Sequence, residues 1–88
     1  MRISLTYFAQ VRRQAGTETE LVTAADGTTA LGALQAVEHG AGFRDLLFDS
    51  AGALHPVILL VVNGLRAAPD RVLHDGDCVQ VFSPMSGG

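Results

Sequence analysis

The sequence predicts a small α+β domain: one main helix against a mixed sheet whose first and last strands are parallel and central. Three observations predict it. Apolar residues alternate with polar ones at the start of the chain and form an apolar run near its end, at residues 78–82. One segment in between, from Ala30 to Val37, carries helical periodicity. The order along the chain is strand, strand, helix, irregular crossover, strand, hairpin, strand.

The elements follow in turn. Ile3, Leu5 and Tyr7 alternate with Ser4 and Thr6, the period of a strand. Residues 8–15 read as a short helix stopped by Gly16. Residues 18–23 alternate again, with Leu21 and Val22 near the end, and form a second strand. Asp26-Gly27 is a turn, after which Thr28 or Thr29 is placed to cap a helix. Ala30, Leu31, Leu34 and Val37 then fall on one helical face, and Gly40 ends this main helix.

Residues 40–56 are less regular, with Phe43, Leu46 and Leu47 covering a core edge from a short helical turn. Asp49-Ser50-Ala51-Gly52 is a turn cluster, and Pro56 admits the chain to the next strand. Residues 57–62 are continuously apolar, as in a strand covered on much of both faces. Asn63-Gly64 signals a hairpin, so Leu65-Arg66-Ala67 pairs back. His74-Asp75-Gly76-Asp77 makes another turn before the final strand, residues 78–82, and Pro84 stops further pairing. This order is the β-grasp arrangement. It places Phe8, at the end of the first strand, near Phe82, at the end of the last. The domain spans residues 1–83, and residues 84–88 form a flexible Gly-Gly tail.

The chain has 88 residues, enough for one domain with a modest core. It is 48% hydrophobic and only 17% charged, more apolar surface than so small a fold hides. Either an apolar patch for a partner or an alanine-rich surface results. The net charge is −3, with six arginines and no lysine, which leaves no basic stripe for nucleic acid. Cys78 is the only cysteine, so no internal disulfide forms; its apolar run implies a buried, inert thiol. The longest apolar run, residues 57–62, is too short to cross a membrane. The N-terminal residues alternate where a signal peptide needs continuity, and the expected location is cytoplasmic.

Enzyme constellations are absent. Gly40-Ala41-Gly42 begins like a dinucleotide fingerprint, but Asp45 stands where the third glycine belongs. His39, His55 and His74 lack metal-ligand spacing, and Asp75 and Asp77 read as a solvated turn. The remaining candidate for chemistry is the carboxylate of Gly88. Gly87-Gly88 form a thread without side chains, able to approach another molecule closely. A terminal carboxylate is also a handle that ATP can adenylate. Residues 84–88, fully extended, reach about 16 Å, enough to thread a narrow channel. Pro84 stiffens the base of the thread. Met85 suits an apolar channel wall or covers the edge of Phe82.

The chain resembles the ubiquitin-like MoaD/ThiS sulfur carriers, above all the small subunit of molybdopterin synthase. The resemblance spans the whole chain. It rests on Tyr7-Phe8-Ala9-x-x-Arg12-x-x-x-Gly16, Val62-Asn63-Gly64, Asp75-Gly76-Asp77 and Phe82-x-Pro84-x-x-Gly87-Gly88. It implies that an E1-like adenylyltransferase consumes ATP and Mg²⁺ to activate Gly88, with no cofactor bound by the carrier itself. A sulfur donor then makes a thiocarboxylate. The tail, Pro84, Met85, Ser86 and Gly87 included, enters the large subunit of molybdopterin synthase or another sulfur-accepting synthase. Catalysis then belongs to the partner. The resemblance also implies docking through Phe8 and Phe82, with Leu65 or Arg66 near a third apolar position.

Ser83 departs from the further proline of many molybdopterin-type tails. Residues 40–56 resemble carriers of other pathways, including a cysteine-forming one. Carriers for cysteine, thiosugar or thiamine synthesis therefore stay open, as do a ubiquitin-like modifier joined through Gly88 and a plain binding module.

Overall fold

Ile3, Leu5 and Tyr7 are wholly buried along β1 (Arg2–Tyr7), while Ser4 and Thr6 face the other way. The computed structural model describes residues 1–83. After β1 come α1 (Gln10–Ala15), β2 (Thr19–Thr23), α2 (Ala30–Ala36), α3 (Ala41–Leu47), β3 (Leu59–Val62), β4 (Leu65–Ala67) and β5 (Cys78–Phe82). The strands form one sheet in the order β2-β1-β5-β3-β4. β1 and β5 are parallel and central, from Ser4 opposite Cys78 to Tyr7 opposite Val81. All other pairs are antiparallel.

The helices cover one face of this sheet. Val79, Val81, Leu60 and Val62 join Ile3 and Leu5 beneath Leu34, Phe43 and Leu47, all within one apolar core. Thr29 caps α2 by accepting a bond from the Gly32 N–H at 3.0 Å. Asn63 and Gly64 both adopt positive φ, 52° and 85°, the two-residue turn whose twist matches the strands it joins.

Four expectations about the helices need correction. The first helix begins at Gln10, because Phe8 is still in the β ladder: its N–H donates to the Val81 carbonyl at 3.1 Å. The main helix ends at Ala36, where Val37 turns extended to bury its side chain. Gly40 starts the next helix instead of ending the last, its carbonyl accepting from the Arg44 N–H at 3.2 Å. The supposed helical turn is thus a full seven-residue helix, α3, as long as α2.

The apolar run enters the sheet only at Leu59, since a bond from the Ile58 N–H to the His55 carbonyl closes a turn first. Val57 is accordingly 61% exposed. Leu59 and Val61 are half-buried on the face opposite the core, where cover on both faces was expected. Cys78 is exposed on that same open face, alternation having turned Val79 and Val81 inward in its place.

Candidate functional site

Phe8 and Phe82 stack with ring centroids 4.4 Å apart and planes 7° from parallel. Their neighbours Tyr7 and Val81 pair in register and point into the core, so the two phenylalanines emerge side by side on the open face. Both are half-buried. Leu59, opposite Phe82 across β3, widens this apolar platform, and sequence reasoning did not single it out. The platform lies where residue 83 leads out of the sheet. Ser83 Oγ is buried there, and among the described residues it has no hydrogen-bond partner.

Ala9 makes the platform possible. The chain must leave the ladder after Phe8 and bring Val11, fully buried, into the core. It does so through Ala9 at φ 55° and ψ −127°, a conformation costly for any residue with a Cβ.

The origin of β5 is set by a second constellation. Asn63 Nδ2 donates to Asp77 Oδ1 at 2.8 Å, and the Cys78 N–H donates to Asn63 Oδ1 at 2.9 Å. Asp77 Oδ2 accepts from the His74 N–H at 2.8 Å, while the Asp77 carbonyl accepts from the Ser4 N–H at 3.0 Å. Asp77 is therefore buried and engaged, not part of a solvated turn. The His74 N–H, and after it the Asn63 amide, holds its carboxyl below the usual carboxylate range. Asp75 does remain exposed, and accepts from the Arg2 N–H at 2.7 Å. Hairpin turn and Asp-Gly-Asp motif thus form one brace, which fixes β5 against both β1 and β3.

Behind the sheet, Glu20 Oε2 accepts from the Tyr7 hydroxyl at 2.5 Å and lies 2.5 Å from His39 Nε2. Tyr7 and His39 also meet Phe43 edge to face, at 5.5 and 5.0 Å between centroids. Burial first, then the Glu20 carboxylate, raises the Tyr7 hydroxyl far above its ordinary range. Nothing in the spacing of residues 7, 20 and 39 announces this cluster, because β1–β2 pairing and the packing of the α2–α3 connection against Phe43 bring it together.

Leu65 does not join the platform. It is 69% exposed but pairs with inward-facing Val62, so it lies on the helix-bearing side. Arg66, opposite Val61, lies on the face of Phe82. Pro84, Met85, Ser86, Gly87 and Gly88 lie outside the described residues. Among the described residues, no group of three or more His, Cys, Asp or Glu could hold a metal ion. Among them, too, no helix is long and apolar enough to cross a membrane.

The model of the ThiS family matches residues 5–88. The chain belongs to the ThiS family. Among solved structures, this ThiS-family chain is similar to the small archaeal modifier protein SAMP1 from Haloferax volcanii, at 29% identity over 100% of both chains and a TM-score of 0.90. It is similar to Urm1 from Trypanosoma brucei at 28% identity, covering 99% of this chain and 95% of the other, TM-score 0.74. A putative molybdopterin converting factor subunit 1 from Pyrococcus furiosus shares 26% identity over 97% and 99%, TM-score 0.76. No curated protein is matched by the sequence. The ubiquitin-like β-grasp fold and the MoaD/ThiS-like family read from the residues both hold.

Proposed function

We propose that this chain is a sulfur carrier that works through the carboxyl group of Gly88. The observation that carries the reading is the family match, which runs through Gly87-Gly88 to the last residue. An E1-like activating enzyme would bind ATP and Mg²⁺ and consume the ATP. The Gly88 carboxylate attacks the α-phosphate, and pyrophosphate leaves to give an acyl adenylate. A sulfur nucleophile at the oxidation level of sulfide then attacks the acyl carbon and expels AMP, leaving a thiocarboxylate. That sulfur is soft and ionised at neutral pH, which suits delivery to an acceptor bound on a synthase. Hydrolysis after delivery restores the carboxylate.

The chain itself contributes positioning. The Phe8–Phe82 platform offers a partner an apolar anchor at the base of the tail. The brace at Asn63 and Asp77 fixes the start of β5, the strand that carries Phe82. The acceptor favoured here is the large subunit of molybdopterin synthase, supported by the similarity to a putative molybdopterin converting factor subunit 1. Other sulfur-accepting synthases, for cysteine, thiosugar or thiamine, use the same chemistry.

A second reading is conjugation of Gly88 to a lysine of another protein. The similarity to a small archaeal modifier protein favours it, and it shares the adenylation step. The test is the intact mass of the chain after incubation with an activating enzyme, ATP, Mg²⁺ and a sulfide source. Exchange of one oxygen for one sulfur, located to the C-terminal peptide, supports the carrier. Adenylation without sulfur uptake, together with high-mass conjugates in cell extracts, favours the modifier.

A further inference from the structure

β2 is an edge strand of the sheet, and its one charged side chain, Glu20, is engaged by Tyr7 and His39. It reads Thr-Glu-Leu-Val-Thr, five residues without proline, lysine or bulge, in contrast to the three-residue edge β4. Bonds from the Tyr7 N–H to the Glu18 carbonyl and from the Ala24 N–H to the Met1 carbonyl set the ladder phase. Glu20 and Val22 therefore face β1 with their backbone groups. Thr19, Leu21 and Thr23 turn theirs to the open edge. The Thr19 carbonyl is taken by the Thr17 hydroxyl at 3.2 Å. Among the described residues, the edge groups of Leu21 and Thr23 make no bond.

Beside this edge lies a groove of about 310 Å³ between β2 and α2, with Val22, Ala33, Ala36 and Val37 among its walls. A strand added to β2 would drop alternate side chains into the groove. Those in between would lie on the open face beside Leu21, 69% exposed. Charge selects the occupant. Every charged residue between Arg13 and Arg44 is acidic: Glu18, Glu20, Asp26 and Glu38. The rest of the chain carries five acidic residues against six arginines, so the net negative charge resides in the segment forming the groove walls. Arg2, opposite Thr23, is the arginine of the neighbouring strand, and alternation turns it to the open face. A second copy pairing edge to edge would bring two such acidic stretches together.

We propose that the free edge of β2 and the groove beside it form a strand-addition site for a partner protein's extended segment, apolar at alternate positions and basic at its flanks. The groove lies on the helix-bearing face, opposite the Phe8–Phe82 platform, and the β2 edge is two strands from β5. The site can be filled whether or not Gly88 is activated.

The test titrates the full, ¹⁵N-labelled chain with a synthetic peptide of alternating valine and threonine flanked by lysines. The expected result is shifted resonances and slowed hydrogen exchange at the Leu21 and Thr23 amides, with Phe8 and Phe82 unmoved. The same peptide with glutamate flanks binds about tenfold more weakly, a gap that closes as salt rises. Two variants check the site. Ala36→Arg blocks the groove from an exposed position, and Leu21→Pro removes an edge N–H while sparing the β1 ladder. Each is expected to weaken the lysine-flanked peptide about tenfold with a dispersed spectrum retained. Equal binding of both peptides, perturbation centred on Phe82, or no perturbation overturns the proposal. So do concentration-dependent shifts in β2 without peptide, which would make a second copy the occupant.

Discussion

Asn63 and Asp77 meet across the β3–β5 pair, the amide of one donating to the carboxylate of the other at 2.8 Å. The same Asn63 side chain accepts the Cys78 N–H, so one residue closes both the hairpin and the start of the last strand. Asp77→Ala leaves the Asn63 amide and the His74 N–H without their acceptor. The expected loss is about 1–3 kcal/mol in urea denaturation. Asp75→Ala, at an exposed position, should cost clearly less. A brace of no consequence would give the two variants equal midpoints.

The lowered Asp77 carboxyl carries a pH signature. A group with a depressed folded-state pKa stabilises fully above its unfolded value and loses that contribution as pH falls below it. Stability should therefore decline below about pH 4 in the parent chain. In Asp77→Asn that part of the decline should vanish, leaving a flatter acid limb in thermal melts.

Tyr7 predicts the opposite limb. Its hydroxyl is raised by burial and by Glu20, so the folded state holds the proton after the unfolded chain releases it. The contribution is complete below about pH 10 and is lost as pH climbs above that value. Tyr7→Phe should cost about 1 kcal/mol at neutral pH and show a shallower alkaline loss. An unchanged alkaline limb would remove Tyr7 as its source.

Ala9 holds a positive φ without the freedom of glycine. Ala9→Gly should relieve strain of about 1–3 kcal/mol, less the extra unfolded entropy of glycine, near 0.5–1. A net gain near 1 kcal/mol raises Tm by about 4–8 °C in a domain of this size. A lowered Tm would mean that Ala9 is not strained.

Phe82→Asp tests the platform. With Phe82 half-buried on the open face, the variant should keep its fold by circular dichroism but lose measurable binding to an activating enzyme or synthase. Appending one residue after Gly88 should leave that binding and abolish ATP–pyrophosphate exchange. Exchange at the normal rate in the extended chain would exclude the Gly88 carboxylate as the reactive group.

Much of the fold was legible because period and punctuation are local. Ile3, Leu5 and Tyr7 declare one strand by alternation, and Asn63-Gly64 declares a hairpin by backbone preference. The order of elements placed β1 beside β5, and with it Phe8 beside Phe82. The helical region was less legible. Val37 and Gly40 continue a helical pattern in sequence, but core packing pulls Val37 out of the helix and leaves Gly40 to open α3.

By itself, the sequence determined the β-grasp order, the ThiS-family motifs and the side of β1 that enters the core. Those depend on short-range periodicity and on residues that tolerate particular turns. Only the tertiary structure decided which residues meet: Asn63 with Asp77, Tyr7 with Glu20 and His39, and Leu65 on the face away from Phe82. It also decided that Cys78 is exposed and that Asp77 is buried. The physical reason is register. A shift of one residue between paired strands moves every side chain to the opposite face, and register is set by packing and cross-strand bonds that no local stretch contains.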